Sequence, residues 1–262
     1  MKKAFEKLQI GLIKAAFVGF CIILFPLLFV NTIVHKRRIK KNPFYKSYIV
    51  RLYERFPLAY EAYILVMNFP LFYNVYNVLP PLSDRVLQVG CGTGALNIYL
   101  RKKNKLKDID LYNLDTNINS INYGLKRKAF TNYIHSDIKN APFEDGYFDT
   151  IVFARCLHHI KNHKKVFKEC ERLLAPNGKI IISDHIDLSP ASPDHSFMMN
   201  SNIDGVIWRY NEVGLRSHLA KNLPPGLTVT SLQAVRQKCI TNYNLFFPNA
   251  DGLAIIERSS LN

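Results

Sequence analysis

The stretch Val86-Leu87-Gln88-Val89-Gly90-Cys91-Gly92-Thr93-Gly94 constrains this chain more than any other. A short apolar run, the pattern of a buried strand, enters a turn with three glycines, and a helix-like segment comes next. Glycines there let the backbone turn tightly and come close to a ligand with no Cβ in the way. The exposed N–H groups of such a turn, with the N-terminus of the next helix, suit a carboxylate or a phosphate. The turn therefore predicts a strand–turn–helix unit that holds an adenosine-containing cofactor.

The turn alone is ambiguous. Gly90-x-Gly92-x-x-Ala95 satisfies the dinucleotide pattern of nicotinamide and flavin enzymes, and Gly90-x-Gly92-x-Gly94 satisfies another. The downstream sequence separates them. Asp115 closes the apolar run Leu111-Tyr112-Asn113-Leu114. Ser136-Asp137-Ile138 comes next, then Pro142-Phe143-Glu144-Asp145-Gly146-Tyr147-Phe148-Asp149. The run Thr150–Ala154, then Leu157-His158-His159-Ile160 and Leu173-Leu174-Ala175-Pro176-Asn177-Gly178-Lys179, lead into Ile180–Ser183. Over residues 82–183 this ordered series resembles the class I S-adenosylmethionine (SAM) methyltransferases of small molecules, including those of quinone biosynthesis. The C-terminal part fits loosely, and the first eighty residues lie outside the resemblance.

The resemblance implies S-adenosyl-L-methionine as cofactor and assigns roles. Gly90, Gly92 and Gly94 shape the turn around its methionine portion. Asp115 binds the ribose hydroxyls, Asp137 accepts from the adenine amino group, and Ile138 packs on the ring. Gln88, Cys91, Thr116 and Arg155 complete the cofactor-binding candidates. Gln88 is a departure, because the family has an acid there. Gln still hydrogen-bonds, but it brings no negative charge to the cofactor's ammonium group. Asp137 has a second reading, as the cap of a helix.

Methyl transfer is an in-line displacement from a sulfonium. The protein must position the nucleophile and, for a phenol or an enol, remove its proton. Arg155, Cys156, His158 and His159 come just after the fourth strand and are the catalytic candidates. Histidine suits a general base near neutral pH. A second reading has at least one of the two histidines ordering the loop. Arg155 suits an anionic substrate group or an acidic neighbour. Asp184 and His185 at the end of the fifth strand come next, and Trp208, Arg209 and Tyr210 suit either a substrate wall or the core.

Charge is unevenly placed. The chain has 35 Lys and Arg against 20 Asp and Glu, and residues 1–55 hold twelve of the former with two of the latter. This excess flanks a greasy segment, Ala15 to Val34, which is about the length a helix needs to cross a bilayer. The pattern points to an anionic membrane surface and away from nucleic acid, where basic residues would spread over the catalytic face. Pro26 sits within the segment, so a shallow hairpin with both ends on one side is an alternative to a span, and a buried or swapped core helix and a processed signal are the other readings. Cys21, Cys91, Cys156, Cys170 and Cys239 include no CxxC and suit neither zinc nor a disulfide framework, as expected of reduced thiols facing the cytosol.

From Asp84 onward apolar runs alternate with helix-like stretches, the mark of a parallel sheet with helices on both faces. The spacing predicts strands near 86–89, 110–114, 132–135, 149–154 and 179–184, and helices near 94–103, 117–128, 162–174 and 211–221. Two more strands, near 227–235 and 252–257, complete the doubly wound, mostly parallel seven-stranded sheet that the resemblance implies. The expected organisation is an anchor with basic flanks over 1–41, an aromatic lid or membrane-contact segment over 42–82, and a methyltransferase domain over 83–262. The function expected is methylation of a lipophilic small molecule, whether phenolic or quinone-like, lipid or polyketide, by a membrane-attached enzyme whose catalytic domain faces the cytoplasm. Two alternatives stay open at this point: a catalytically weak scaffold subunit of a membrane complex, which Gln88 supports, and a dinucleotide-dependent oxidoreductase.

Overall fold

A computed structural model of the chain describes residues 2–41, 48–67, 75–107, 109–188, 210–243 and 249–259. Its strands are β1 (Asp84–Val89), β2 (Ile109–Asp115), β3 (Tyr133–His135), β4 (Phe148–Ala154), β5 (Leu174–Asp187), β6 (Leu227–Val235) and β7 (Asn249–Arg258). They form one seven-stranded sheet in the order β3-β2-β1-β4-β5-β7-β6. The pairs β1–β2, β2–β3, β1–β4 and β4–β5 are parallel. From β1 the chain winds outward through β2 and β3, then crosses back to β4 on the other flank of β1. That reversal falls between β1 and β4, and the C-terminal ends of the strands beside such a reversal are where doubly wound sheets bind ligands.

Continuous apolar runs make these strands. Ile151, Val152 and Phe153 of β4 and Ile180, Ile181 and Ile182 of β5 are all fully buried, as expected when both faces of a parallel sheet are covered. The helices are α1 (Lys2–Lys41), α2 (Tyr48–Arg55), α3 (Pro57–Met67), α4 (Ala95–Lys102), α5 (Ile118–Lys126), α6 (His163–Leu173), α7 (Glu212–Asn222) and α8 (Ile240–Tyr243). Asn117 caps α5 by accepting from Asn119 N and Ser120 N. Lys164, Lys165 and Lys168 of α6 are exposed. Arg172 is half-buried, because it pairs with Asp145 and Glu169 and donates to the carbonyls of Phe143 and Ala141. The largest boundary difference is at β5, which starts at Leu174. Phe148 pairs with Leu174 but Thr150 pairs with Lys179, so the register shifts across residues 175–178.

The chain divides into two compact units. One comprises residues 76–184, 213–233 and 252–262, and the other residues 1–75, 185–212 and 234–251. In the second unit, Ile13 and Phe17 of α1 pack with Ile240 of α8, with Ala16 and Tyr243 beside them. Lys238 pairs with Glu6 at 3.3 Å and donates to Gln9 Oε1 at 3.2 Å. The expected 42–82 segment contributes α2 and α3, whose Tyr53 and Tyr63 rings stack at 5.3 Å.

Two expectations need correction or lie outside the described residues. The apolar stretch is helical within α1, but among the described residues no helix is long and apolar enough to cross a membrane. The 40-residue helix carries Lys2, Lys3, Glu6, Lys7 and Lys14 before the apolar stretch and a basic run after it, and its first half packs through Ile13 and Phe17. The insertion with Met198 and Met199, and also Trp208 and Arg209, lies outside the described residues.

Gly94 illustrates how tightly the domain closes around the turn. It sits at the N-cap of α4 with φ of 81°, and a Cβ there would lie 2.5 Å from the Ala129 Cβ. Gly94→Ala is therefore expected to destabilise the fold by ~1–3 kcal/mol, read from urea unfolding, because it adds overpacking to backbone strain.

Candidate functional site

The turn after β1 is built around one carboxylate. Asp115, the last residue of β2, accepts from Gly92 N at 2.7 Å through one oxygen and from Asn117 N at 2.8 Å through the other. The neighbouring strand thus fixes the glycine turn and starts α5 with the same side chain. Burial pushes the Asp115 carboxyl above its ordinary range, and the Asn117, Gly92 and Thr116 N–H groups pull it part of the way back. Gly90 approaches the loop after β4 so closely that a Cβ would lie 2.6 Å from the Cys156 Cβ. At Gly92 nothing lies within 4 Å of where a Cβ would be, so that side of the turn is open.

The other cofactor candidates fall in different places. Gln88 is 1% exposed, and its Oε1 has no partner among the described residues. Cys91 points inward, packing with Ile121, Ala129 and Phe130, and burial raises its thiol pKa. Its side chain therefore belongs to the core, and only its backbone faces the turn. Ile138 is 2% exposed with no ligand bound, so its side chain is also taken up by the core and offers little face to a ring. Asp137 caps the short 3-10 turn Ile138–Asn140, accepting from Lys139 N at 3.0 Å and pairing with Lys139 Nζ at 2.7 Å. Thr116 is exposed, and its carbonyl meets His135 Nε2 at 3.1 Å.

The loop after β4 holds the catalytic candidates. Register places Ala154 beside Ser183, so the residues just past β4 meet those that end β5. Arg155 turns the chain with φ of 58° while its N–H donates to Ser183 O at 2.7 Å. Cys156 then points back under the glycine turn, its Sγ 3.0 Å from Val89 O. Burial first, and the Asp184 and Asp115 charges next, push its thiol well up, so it stays protonated. His158 is 5% exposed, and Asp184 holds it twice, through the backbone N–H at 3.0 Å and through Nδ1. His159 is exposed, with its ring centroid 4.0 Å from that of His158. The two sequence-equivalent histidines are thus different objects: one orders the loop, and the other faces solvent on top of it.

A second pair escaped the sequence reading. His163 Nε2 lies 3.1 Å from Leu157 O, and its Nδ1 lies 2.6 Å from His218 Nε2. The carbonyl can only accept, so His163 donates through Nε2 and receives the His218 N–H at Nδ1. This chain of hydrogen bonds ties α6 and α7 to the turn that bears His158. Only spatial proximity reveals it, since the two histidines are 55 residues apart.

Comparison with known proteins fits this geometry. Residues 87–182 match the methyltransferase domain family model. A phosphoethanolamine N-methyltransferase of Triticum aestivum is 29% identical over 119 residues, which is 44% of this chain and 23% of that one. A demethylmenaquinone methyltransferase of Thermotoga maritima is 26% identical over 142 residues, covering 52% of this chain and 61% of its own. The chain spans about a quarter of the wheat enzyme's length. Among solved structures, the cyclase SpnF superposes with a TM-score of 0.51 at 14% identity over 70% of this chain and 78% of its own, a likeness of fold alone. The matched segment is similar to methyltransferase domains, and S-adenosyl-L-methionine is the cofactor that this similarity implies. The residues present fit that group: an open glycine turn, a carboxylate beside it, and the buried Gln88 Oε1 as an acceptor for an ammonium group.

The histidine pair predicts a pH dependence of stability. Burial lowers both, His163 in direction and His218 from 6.5 to about 4, with His163 and Lys221 adding to the shift of the latter. Between pH 6.5 and about 4 the unfolded chain binds protons that the folded chain refuses, so stability falls as pH falls through that window. Thermal melts should drop across it in the native protein, and the drop should be shallower in His218→Gln.

Proposed function

We propose that this chain is a membrane-attached, SAM-dependent methyltransferase acting on a lipophilic small molecule of the phenolic or quinone-like, lipid or polyketide kind. The observation that carries the reading is the Asp115-clamped glycine turn facing a histidine-bearing loop within a matched methyltransferase domain. The likeness to a demethylmenaquinone methyltransferase and the apolar, basic N-terminal region support the acceptor class and the attachment. A catalytic domain facing the cytoplasm fits where SAM is made.

When bound, the cofactor supplies a sulfonium methyl as electrophile. Asp115 is placed to accept from ribose hydroxyls, and such donors would offset the cost of burying its charge. Gln88 is placed to accept from the methionine ammonium. The nucleophile's proton goes to a base that must reach it, and exposure favours His159 over the buried His158. His158 and Asp184 hold the loop so that His159 stands at its surface. Arg155, half-buried at the start of that loop, is placed to bind an anionic substrate group.

Calorimetric titration of the full chain with SAM, using NADH as control, tests the cofactor directly. Selective SAM binding is expected, and Asp115→Ala should weaken it by ~1–3 kcal/mol, the scale of a lost hydrogen bond to a charged group. Binding of neither ligand would move the scaffold reading forward. Once an acceptor is found among lipid extracts, His159→Ala should lower kcat about 10²–10⁴-fold with SAM affinity unchanged. Equal loss in His158→Ala alone would move the base to His158.

A further inference from the structure

The attachment proposed above leaves open whether α1 crosses the bilayer, and the packing of α1 answers it. We infer that α1 lies along an anionic membrane surface with both of its ends on the same side. Glu6, Gln9, Ile13 and Phe17 keep helical spacing and make one face, which docks on Lys238, Ile240 and Tyr243. If residues 15–34 crossed a bilayer, that docked face would lie on one side and Lys41 on the other. The chain runs from Lys41 to α8, and no described helix between them is long and apolar enough to cross back. Among the described residues, the packed contact therefore opposes a crossing.

What remains for the apolar surface of α1 is to lie on a membrane. Phe5, Leu8, Leu12, Ile22, Ile23 and Val30 are each more than half exposed. At 100° per residue Phe5, Leu8, Leu12 and Ile23 fall within about 60° of one another, a stripe distinct from the docked face. Lys3, Lys7 and Lys14 are exposed on another side of the same helix, and the run Lys36-Arg37-Arg38-Ile39-Lys40-Lys41 ends it. A greasy stripe with lysines on the opposite face of the same helix is the pattern of an interfacial helix, whose apolar side chains enter the acyl boundary while the cations are attracted to an anionic surface.

This inference rests on the proposed attachment but not on the proposed chemistry. The test uses the full chain in sealed cell-derived vesicles of both orientations, with a membrane-impermeant maleimide and mass spectrometry to locate the label. Lys3→Cys and Lys40→Cys should be labelled from the same side as Lys165→Cys, a reference on exposed α6. Lys3→Cys labelled only from the opposite side overturns the inference. Purified protein should sediment with phosphatidylglycerol-containing vesicles at least tenfold more than with phosphatidylcholine alone. An Ile22→Glu, Ile23→Glu double variant should lose at least tenfold of that binding. Equal binding to both vesicle types, or no loss in the variant, overturns the assigned surface. SAM titration of the same samples reports separately on the methyltransferase reading, so the two can fail independently.

Discussion

The structure depends on one half-buried carboxylate. Asp115 ends β2, yet its oxygens hold the turn after β1 and the first residues of α5. A glycine turn has little conformational preference of its own, so something must select the conformation that leaves Gly92 open. Asp115 does so with two backbone N–H donors, at the cost of a desolvated charge. Such an arrangement is suited to a ligand that brings hydroxyl donors, because the ligand then lowers a penalty that the empty turn carries.

The second constraint is strand register. Parallel pairing sets Ala154 beside Ser183, and the residues just beyond each strand meet at one edge. Asp184 therefore reaches His158, and the Leu157–His159 turn is pinned by a carboxylate below and by the His163–His218 pair behind. Gly90 allows Cys156 to sit against the glycine turn, so that turn and the histidine loop share a wall. The buried His163 and the half-buried His218 make that wall sensitive to acid, for the same desolvation reason that governs Asp115.

Much of this was legible in the sequence. Strand and helix positions came from apolar runs and their spacing, because strands buried on both faces must be apolar throughout. Gly90, Gly92 and Asp115 lie where the motif places them. Cys91 and Ile138 were candidates by position, but motif position does not tell which way a side chain points, and both turn into the core. The Leu-His-His run offered two equal histidines, and only the partner on β5 separates them.

The N-terminal segment marks the same boundary. Hydropathy and charge determined that α1 is a greasy helix with basic flanks, because those quantities are local. Whether it crosses a membrane is a question of what it packs against, and Lys238 and Ile240 are more than two hundred residues away. The sequence by itself determined the strand–turn–helix unit, the order of motifs and the chemistry available at each. The tertiary structure alone decided which oxygen meets which N–H, which histidine is buried, and where α1 is held, since each of these depends on contacts between residues distant in the chain.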